Sequence, residues 1–353
     1  MDFAKLLLKW NSRDNYRQMP WKGEKDPYKI WLSEIILQQT RVDQGWNYYE
    51  KFIAAYPDVV ALANAADEEV MKLWEGLGYY SRCRNLMHTA REIAFGRGGK
   101  FPQTSSELKK LKGVGDYTAA AIASFAYREP VAVVDGNVQR ILARVYNIHT
   151  PVDTPEGKKL FIAKANELLS KESPDIFNQA IMDFGATVCL PRNPLCGNCV
   201  FNRYCKANLL SVQHQLPVKS KKLNRKTRWL NYFLIRYGDE ILIRKRTGKD
   251  IWKDLFEFVL FETPQLPKQS EIDDFIKSHF GNHAVLQPSR IEKKQQLTHQ
   301  TIMGTFLHVI LNKKTPLNGY HFEKIDNLNT IPFPGLINSY LTDKPLPKTQ
   351  TEE

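Results

Sequence analysis

The spacing Cys189-x6-Cys196-x2-Cys199-x5-Cys205 gathers four of the chain's five cysteines into seventeen residues. The N-terminal stretch MDFAKLLLKWNSRDNY has charge on both sides of a short apolar run and no small-residue cleavage site. It does not read as a signal peptide, and the expected compartment is the cytoplasm. Cysteines clustered in such a chain point to a metal site rather than to disulfides. Four thiolates can hold a [4Fe–4S] cluster or a zinc ion. Structural zinc sites usually bring two close ligand pairs, whereas only Cys196 and Cys199 form one here; the longer gaps suit a larger object. Pro191, Pro194 and Gly197 keep the segment irregular, so it can turn its sulfurs inward. Cys83, in YYSRCRNL, reads as a small, partly buried thiol.

A segment this irregular needs a scaffold. Residues 1–212 read as predominantly helical. DPYKIWLSEIILQQTRV places Ile30, Trp31, Ile35, Leu37 and Val42 where one buried helix would want them. TPEGKKLFIAKANELLS reads as an amphipathic helix with Pro155 in its first turn. The texture changes at SVQHQLPVKSKKLNRKTR, which carries Lys219, Lys221, Lys222, Arg225, Lys226 and Arg228. Residues 213–226 are expected to be an exposed basic linker, either merely solvated or lying along a phosphate backbone. NYFLIRYG, EILIRKRT and LFEFVLFET then read as strands, with YGDEI as a hairpin turn. SEIDDFIKSHF reads as a helix and MGTFLHVILN as a strand. The expectation is a smaller α+β domain over 227–345 and a disordered tail, 346–353. No apolar run is long enough for a membrane helix. The net charge of +12 is a hint of a polyanionic partner.

Between two helix-like segments stands KGVGDYT. It lacks the third glycine of a dinucleotide fingerprint, and a helix rather than a strand precedes it. It fits a helix–tight turn–helix in which Gly113 and Gly115 let backbone N–H groups approach a phosphate. This hairpin, the VDGNVQR segment and the cysteine spacing, in this order, resemble the helix-hairpin-helix superfamily of base-excision DNA glycosylases over most of residues 1–210. MPWKGEKDPYKIWLSEIILQQTRV, WEGLGYYSRCRNL, NQAIMDFGATVC and the added smaller domain most resemble the adenine DNA glycosylase (MutY) family. The implied fold is mainly α, a two-lobed helical core with a [4Fe–4S] loop, followed by an α+β Nudix-like (MutT-like) domain. The implied substrate is double-stranded DNA with adenine opposite 8-oxoguanine or guanine. A monomer associated with the nucleoid is expected.

The resemblance implies roles residue by residue. Lyase relatives have a lysine at the position of Tyr117. A tyrosine forms no Schiff base, so a monofunctional enzyme with little or no strand cleavage is expected. Adenine leaves poorly as an anion and must be protonated, while the oxocarbenium-like sugar wants a nearby negative charge. Glu34, flanked by Leu32, Ile35 and Ile36, is a carboxyl whose burial would keep a proton available; the resemblance makes it the acid at adenine N7. Its bland alternative is a first-turn helix acid after Ser33. Asp135 reads as a helix N-cap, and the resemblance adds stabilisation of the sugar. Asn137 is implied to hold sugar and water. Trp21, Lys22, Leu37 and Gln179 are implied to line the adenine pocket. Gln39, Thr40 and Tyr79 are implied to contact DNA near 8-oxoguanine, while Tyr80 reads as core.

The smaller domain lacks an R-E-x-x-E-E metal helix, so hydrolysis of nucleoside triphosphates is not expected. QQLTHQTIMGTF matches the family's lesion-reading loop, with Thr298 and His299 as contacts. Leu297 replaces an aromatic ring there, so recognition is expected to be weaker or differently arranged. Two other functions fit parts of the pattern: a mismatch thymine or uracil glycosylase, and a catalytically silent DNA-binding protein. Gln39, Gln179 and the added domain argue against the first, Glu34 with Asp135 against the second.

Overall fold

Amphipathic spacing gives way to alternation past the basic stretch, and the architecture follows. The computed structural model describes residues 2–220, 225–344 and 346. The helices, in chain order, are α1 Phe3–Asp14, α2 Pro27–Leu37, α3 Val42–Ala55, α4 Val59–Asn64, α5 Asp67–Leu73, α6 Ser81–Gly96, α7 Ser105–Leu108, α8 Asp116–Tyr127, α9 Gly136–Tyr146, α10 Pro155–Leu168, α11 Pro174–Thr187 and α12 Lys206–Leu209. Strands β1 Lys226–Tyr237, β2 Glu240–Lys245 and β3 Phe256–Thr263 come next, then α13 Gln269–Phe280, β4 Ala284–Gln296, β5 Gln300–Leu311, β6 His321–Lys324 and α14 Gly335–Asp343. The chain divides into two units, Met1–Ala65 with Arg84–Lys222, and Ala66–Cys83 with Leu223–Glu353.

In the first unit, α8 is the central helix: Thr118 through Ser124 are all buried. Helix α2 packs beside it, begun by Asp26, whose carboxylate accepts the Tyr28 N–H, and by Pro27 at its first position. The sequence assigned Val42 to this same helix. Instead the helix ends at Leu37; Gln39 takes a left-handed φ of 59°, and Val42 opens α3. A second apolar cluster joins α1, α9, α10 and α11 around Phe3, Ile141, Phe161 and Phe184.

The hairpin between α7 and α8 turns on Gly113, with φ 79°. A Cβ there would fall 2.7 Å from the Cβ of Asn85. Gly115 caps α8 in extended backbone and has open space around it.

The basic stretch is less free than its composition suggests. Leu216 is buried, the Val152 N–H donates to Val218 O, and Arg144 donates to the carbonyls of Gln213 and Leu216. Two apolar side chains, Leu216 and Val218, and three engaged carbonyls therefore fix residues 213–218 to the core, while Lys219, Arg225 and Lys226 are exposed. Lys226 already belongs to β1, and Arg228 is held by Asp250 and Glu262, so it is not available to a phosphate. Lys221 and Lys222, and the tail from 347 on, lie outside the described residues.

The second unit is built on a six-stranded mixed sheet, in the order β4-β5-β1-β3-β2-β6, with β1 and β5 parallel. Phe233 and Ile235 face α13, while Tyr232 stacks on Phe306, which stacks on Tyr340 of α14. Both faces of β1 are thus covered, as its unbroken apolar run requires. Strand β4, whose QPSRIEKKQQ is too charged to read as a strand, pairs along β5 with an irregularity between Leu286 and Arg290. Residues 66–83, which the sequence placed with the helical core, group with this unit: Glu68 pairs with Lys245, and the Phe333 N–H donates to Glu75.

Left-handed backbone and a close neighbour together make Gly113 intolerant. Gly113→Ala is expected to lower unfolding free energy by about 2 kcal/mol, seen as a lower thermal midpoint, and Gly115→Ala by less than about 1 kcal/mol. Equal losses would contradict this reading of the turn.

Candidate active site

Helices α2, α8, α9 and α11 enclose a cleft of about 580 Å³ in the first unit. Of the residues singled out in the sequence, Trp21, Lys22, Glu34, Leu37, Thr40, Tyr117, Asp135, Asn137 and Gln179 line it. Glu34 sits in the second half of α2, not in a first turn, and its side chain is buried. The Tyr117 hydroxyl, from the first turn of α8, donates to its carboxyl. Burial above all, and the charge of Asp135 to a lesser degree, push the Glu34 carboxyl up from 4.5 to about 7. Burial also pushes the Tyr117 phenol well above its ordinary range. The phenol therefore stays protonated as a donor.

Asp135 caps α9. Its Oδ1 accepts the Val138 N–H at 2.8 Å and its Oδ2 accepts the Asn137 amide at 2.7 Å. Burial raises its pKa while these bonds oppose the rise. The approach to Asp135 is fixed from below. Buried Asn178 of α11 accepts the Val133 N–H and donates to Val131 O and to the Ser124 hydroxyl. Asn137 is held in turn by Arg140, whose guanidinium also reaches the carbonyls of Gly185 and Cys189. Gly185 is the close-contact point: a Cβ there would lie 2.5 Å from the Cβ of Asn137.

The floor carries a feature the sequence did not reveal. Asp183 of α11 is fully buried and pairs with both Arg17 and Lys22, two residues that line the cleft. Trp21 forms a wall, edge-on to Tyr49 at 5.3 Å. Arg17 and Asp183 stand 166 positions apart, and no local pattern joins them.

The remaining candidates lie outside the cleft. Gly113 and Gly115 are exposed on the hairpin, and Gln39 is exposed in its strained turn. Tyr79, also in left-handed backbone and 43% exposed, hydrogen-bonds the Thr298 hydroxyl within the second unit. Thr298 and exposed His299 stand in the turn joining β4 to β5. Tyr80 is buried.

Cys189, Cys196, Cys199 and Cys205 line one cavity together with Arg144. Burial pushes the Cys199 thiol up to about 12 and raises Cys196 and Cys205 as well. Thiols raised in this way give up their protons only to a cation that replaces them. Arg144 lies 3.4 Å from Cys189 Sγ and the Phe201 N–H donates to Cys199 Sγ, the kind of outer contact that tunes sulfur ligands. Among the described residues no group of cysteine, histidine or carboxylate side chains is set to hold a single metal ion. The donor set fits the larger cluster better than zinc. No helix among the described residues is long and apolar enough to cross a membrane.

Because the folded state holds the Glu34 proton more tightly than the unfolded chain does, stability falls as pH rises from 4.5 to about 7 and then levels off. Glu34→Gln cannot ionise. It is expected to be more stable than the parent at about pH 8, by up to about 3 kcal/mol, and the gain should shrink towards about pH 5. A pH-independent difference in denaturant unfolding would contradict the assignment.

Residues 32–168 match the family described as HhH-GPD superfamily base excision DNA repair protein. Residues 189–205, beginning and ending on a cysteine, match the iron-sulfur binding domain of endonuclease III, and residues 231–343 match the NUDIX domain. The chain is 34% identical over 314 residues to the adenine DNA glycosylase of Buchnera aphidicola subsp. Baizongia pistaciae (strain Bp), covering 88% of this chain and 87% of that one. It is 42% identical over 224 residues to that of Homo sapiens, covering 61% of this chain and 41% of the relative. Among solved structures, a thermostable thymine-DNA glycosylase superposes with a TM-score of 0.55 at 28% identity, over 59% of this chain and 95% of the other.

Proposed function

The chain belongs to the adenine DNA glycosylase family, and from that premise we propose that it hydrolyses the N-glycosidic bond of adenine opposite 8-oxoguanine or guanine in duplex DNA, leaving the strand uncut. The observation that carries the reading is the buried Glu34 carboxyl. It holds a proton near neutral pH, under the Tyr117 hydroxyl and in the field of Asp135.

A base inside a duplex cannot reach a cleft of this kind, so the adenine must leave the stack. Glu34 then donates its proton to N7, and the bond from the sugar carbon to N9 breaks with the electron pair going to the base. Adenine departs neutral. The sugar acquires oxocarbenium character, and ionised Asp135 stabilises it from a position fixed by Val138 and Asn137. Glu34, now ionised, accepts a proton from the attacking water. Tyr117 holds Glu34 in place and, having no amine, starts no lyase chemistry. Trp21, Lys22, Leu37 and Gln179 enclose the base.

Cys189, Cys196, Cys199 and Cys205 would hold a [4Fe–4S] cluster. When bound, it supplies a cross-link that organises the loop rather than a reacting group. Gly113 and Gly115 grip a phosphate through backbone amides, while Gln39, Thr40 and Tyr79, with Thr298 and His299, read the partner base. On this reading 1–212 is the glycosylase core, of which residues 66–83 pack with the second unit, and 227–345 is the lesion-reading domain, in a monomer that works on nucleoid DNA.

The test is single-turnover cleavage of two duplexes, adenine opposite 8-oxoguanine and adenine opposite thymine, each with and without alkali. Breaks confined to the lesion duplex after alkali are expected. Breaks without alkali would overturn the monofunctional assignment, and no base loss from either duplex would overturn the activity.

A further inference from the structure

We propose that Asp183 is a positioning residue that fixes the orientation of the Gln179 amide and thereby makes the cleft select a 6-aminopurine over a 6-oxopurine. The inference rests on the adenine-removing function proposed above and adds what discriminates the base.

Asp183 is fully buried, and both its oxygens are engaged. Its Oδ1 accepts Arg17 Nη1 and Gln179 Nε2, each at 2.9 Å. Its Oδ2 accepts Asn15 Nδ2 at 2.9 Å and Lys22 Nζ at 3.0 Å. With two cations beside it, the carboxylate offers acceptors only. Gln179 can meet it only through its NH2 group, so chemistry decides which end of the amide faces away. The Gln179 Oε1 takes no donor among the described residues. Gln179 lines the cleft, so an acceptor and one remaining N–H are what it can offer a base.

On its N1 edge, away from the N7 that Glu34 serves, adenine matches that pattern, because its exocyclic N–H donor lies beside the N1 acceptor. A 6-oxopurine presents the reverse: a keto acceptor beside a ring N–H. Matching it would require the amide to turn over, which would set Oε1 against the Asp183 carboxylate, acceptor against acceptor. An unmatched polar pair in a closed pocket discriminates far more strongly than a change of shape does.

The experiment measures single-turnover base release from duplexes carrying deoxyadenosine or deoxyinosine opposite 8-oxoguanine. The unaltered protein is expected to release adenine at least about tenfold faster than hypoxanthine. Asp183→Asn can turn an N–H towards Gln179 and permit the reversed amide. Its adenine-to-hypoxanthine rate ratio is expected to fall at least about tenfold, mainly through loss on adenine. If the single variant does not fold, the paired Lys22→Met, Asp183→Asn variant removes one of the two cations left without the carboxylate, and its ratio is read against that of Lys22→Met alone. A merely structural Asp183 would slow both substrates alike; an unchanged ratio in either folded variant overturns the proposal. So does an unaltered protein that releases both bases equally. If the unaltered protein releases no adenine at all, the activity itself is refuted.

Discussion

A carboxylic acid kept out of water is the constraint around which this molecule is arranged. Burial raises Glu34 to about 7, and Asp135 reinforces the rise. The cost of holding an acid there is borne by the packing around it. Helix α2 is buried along nearly its whole length, and α8 beside it presents an all-buried run to the core. Burial raises both carboxyls, but the Val138 and Asn137 N–H groups hold the Asp135 oxygens; in the proposed reaction Glu34 is the acid and Asp135 the electrostatic stabiliser.

The second carboxyl depends on fewer but more specific contacts. Asp135 is an N-cap, and the hydrogen bonds that make it one also hold its charge. Asn178 fixes the strand-like entry, and Arg140 fixes Asn137 while binding the carbonyl of Cys189. In the proposed reaction, capping a helix and stabilising the sugar are therefore compatible duties of one side chain. The same economy holds for Asp183, which pairs with Arg17 and Lys22 while accepting the Gln179 amide N–H.

What was legible in the sequence was local. Apolar neighbours marked Glu34 as desolvated, and the turn before VQRILARV marked Asp135 as a cap. The cysteine spacing marked a metal-binding loop, which the family comparison identifies as an iron-sulfur segment. What escaped was non-local. Asp183 looks like any polar residue in a helix until α11 brings it against Arg17 and Lys22. The end of α2 escaped because Leu37 and Val42 keep helical spacing across a strained turn at Gln39. Strand β4 escaped because its exposed positions are charged, and in the basic stretch the anchoring of residues 213–218 escaped because it runs through Leu216 and backbone carbonyls rather than through the charges.

The proton on Glu34 is the central claim, and the pH dependence of single-turnover adenine release tests it most directly. Across about pH 5 to 9 the rate should fall as pH rises, with a midpoint near the Glu34 value of about 7, because only the protonated acid can serve N7. A rate that stays level or climbs through that range would mean that Glu34 acts in its ionised form, and that its burial serves something other than proton donation.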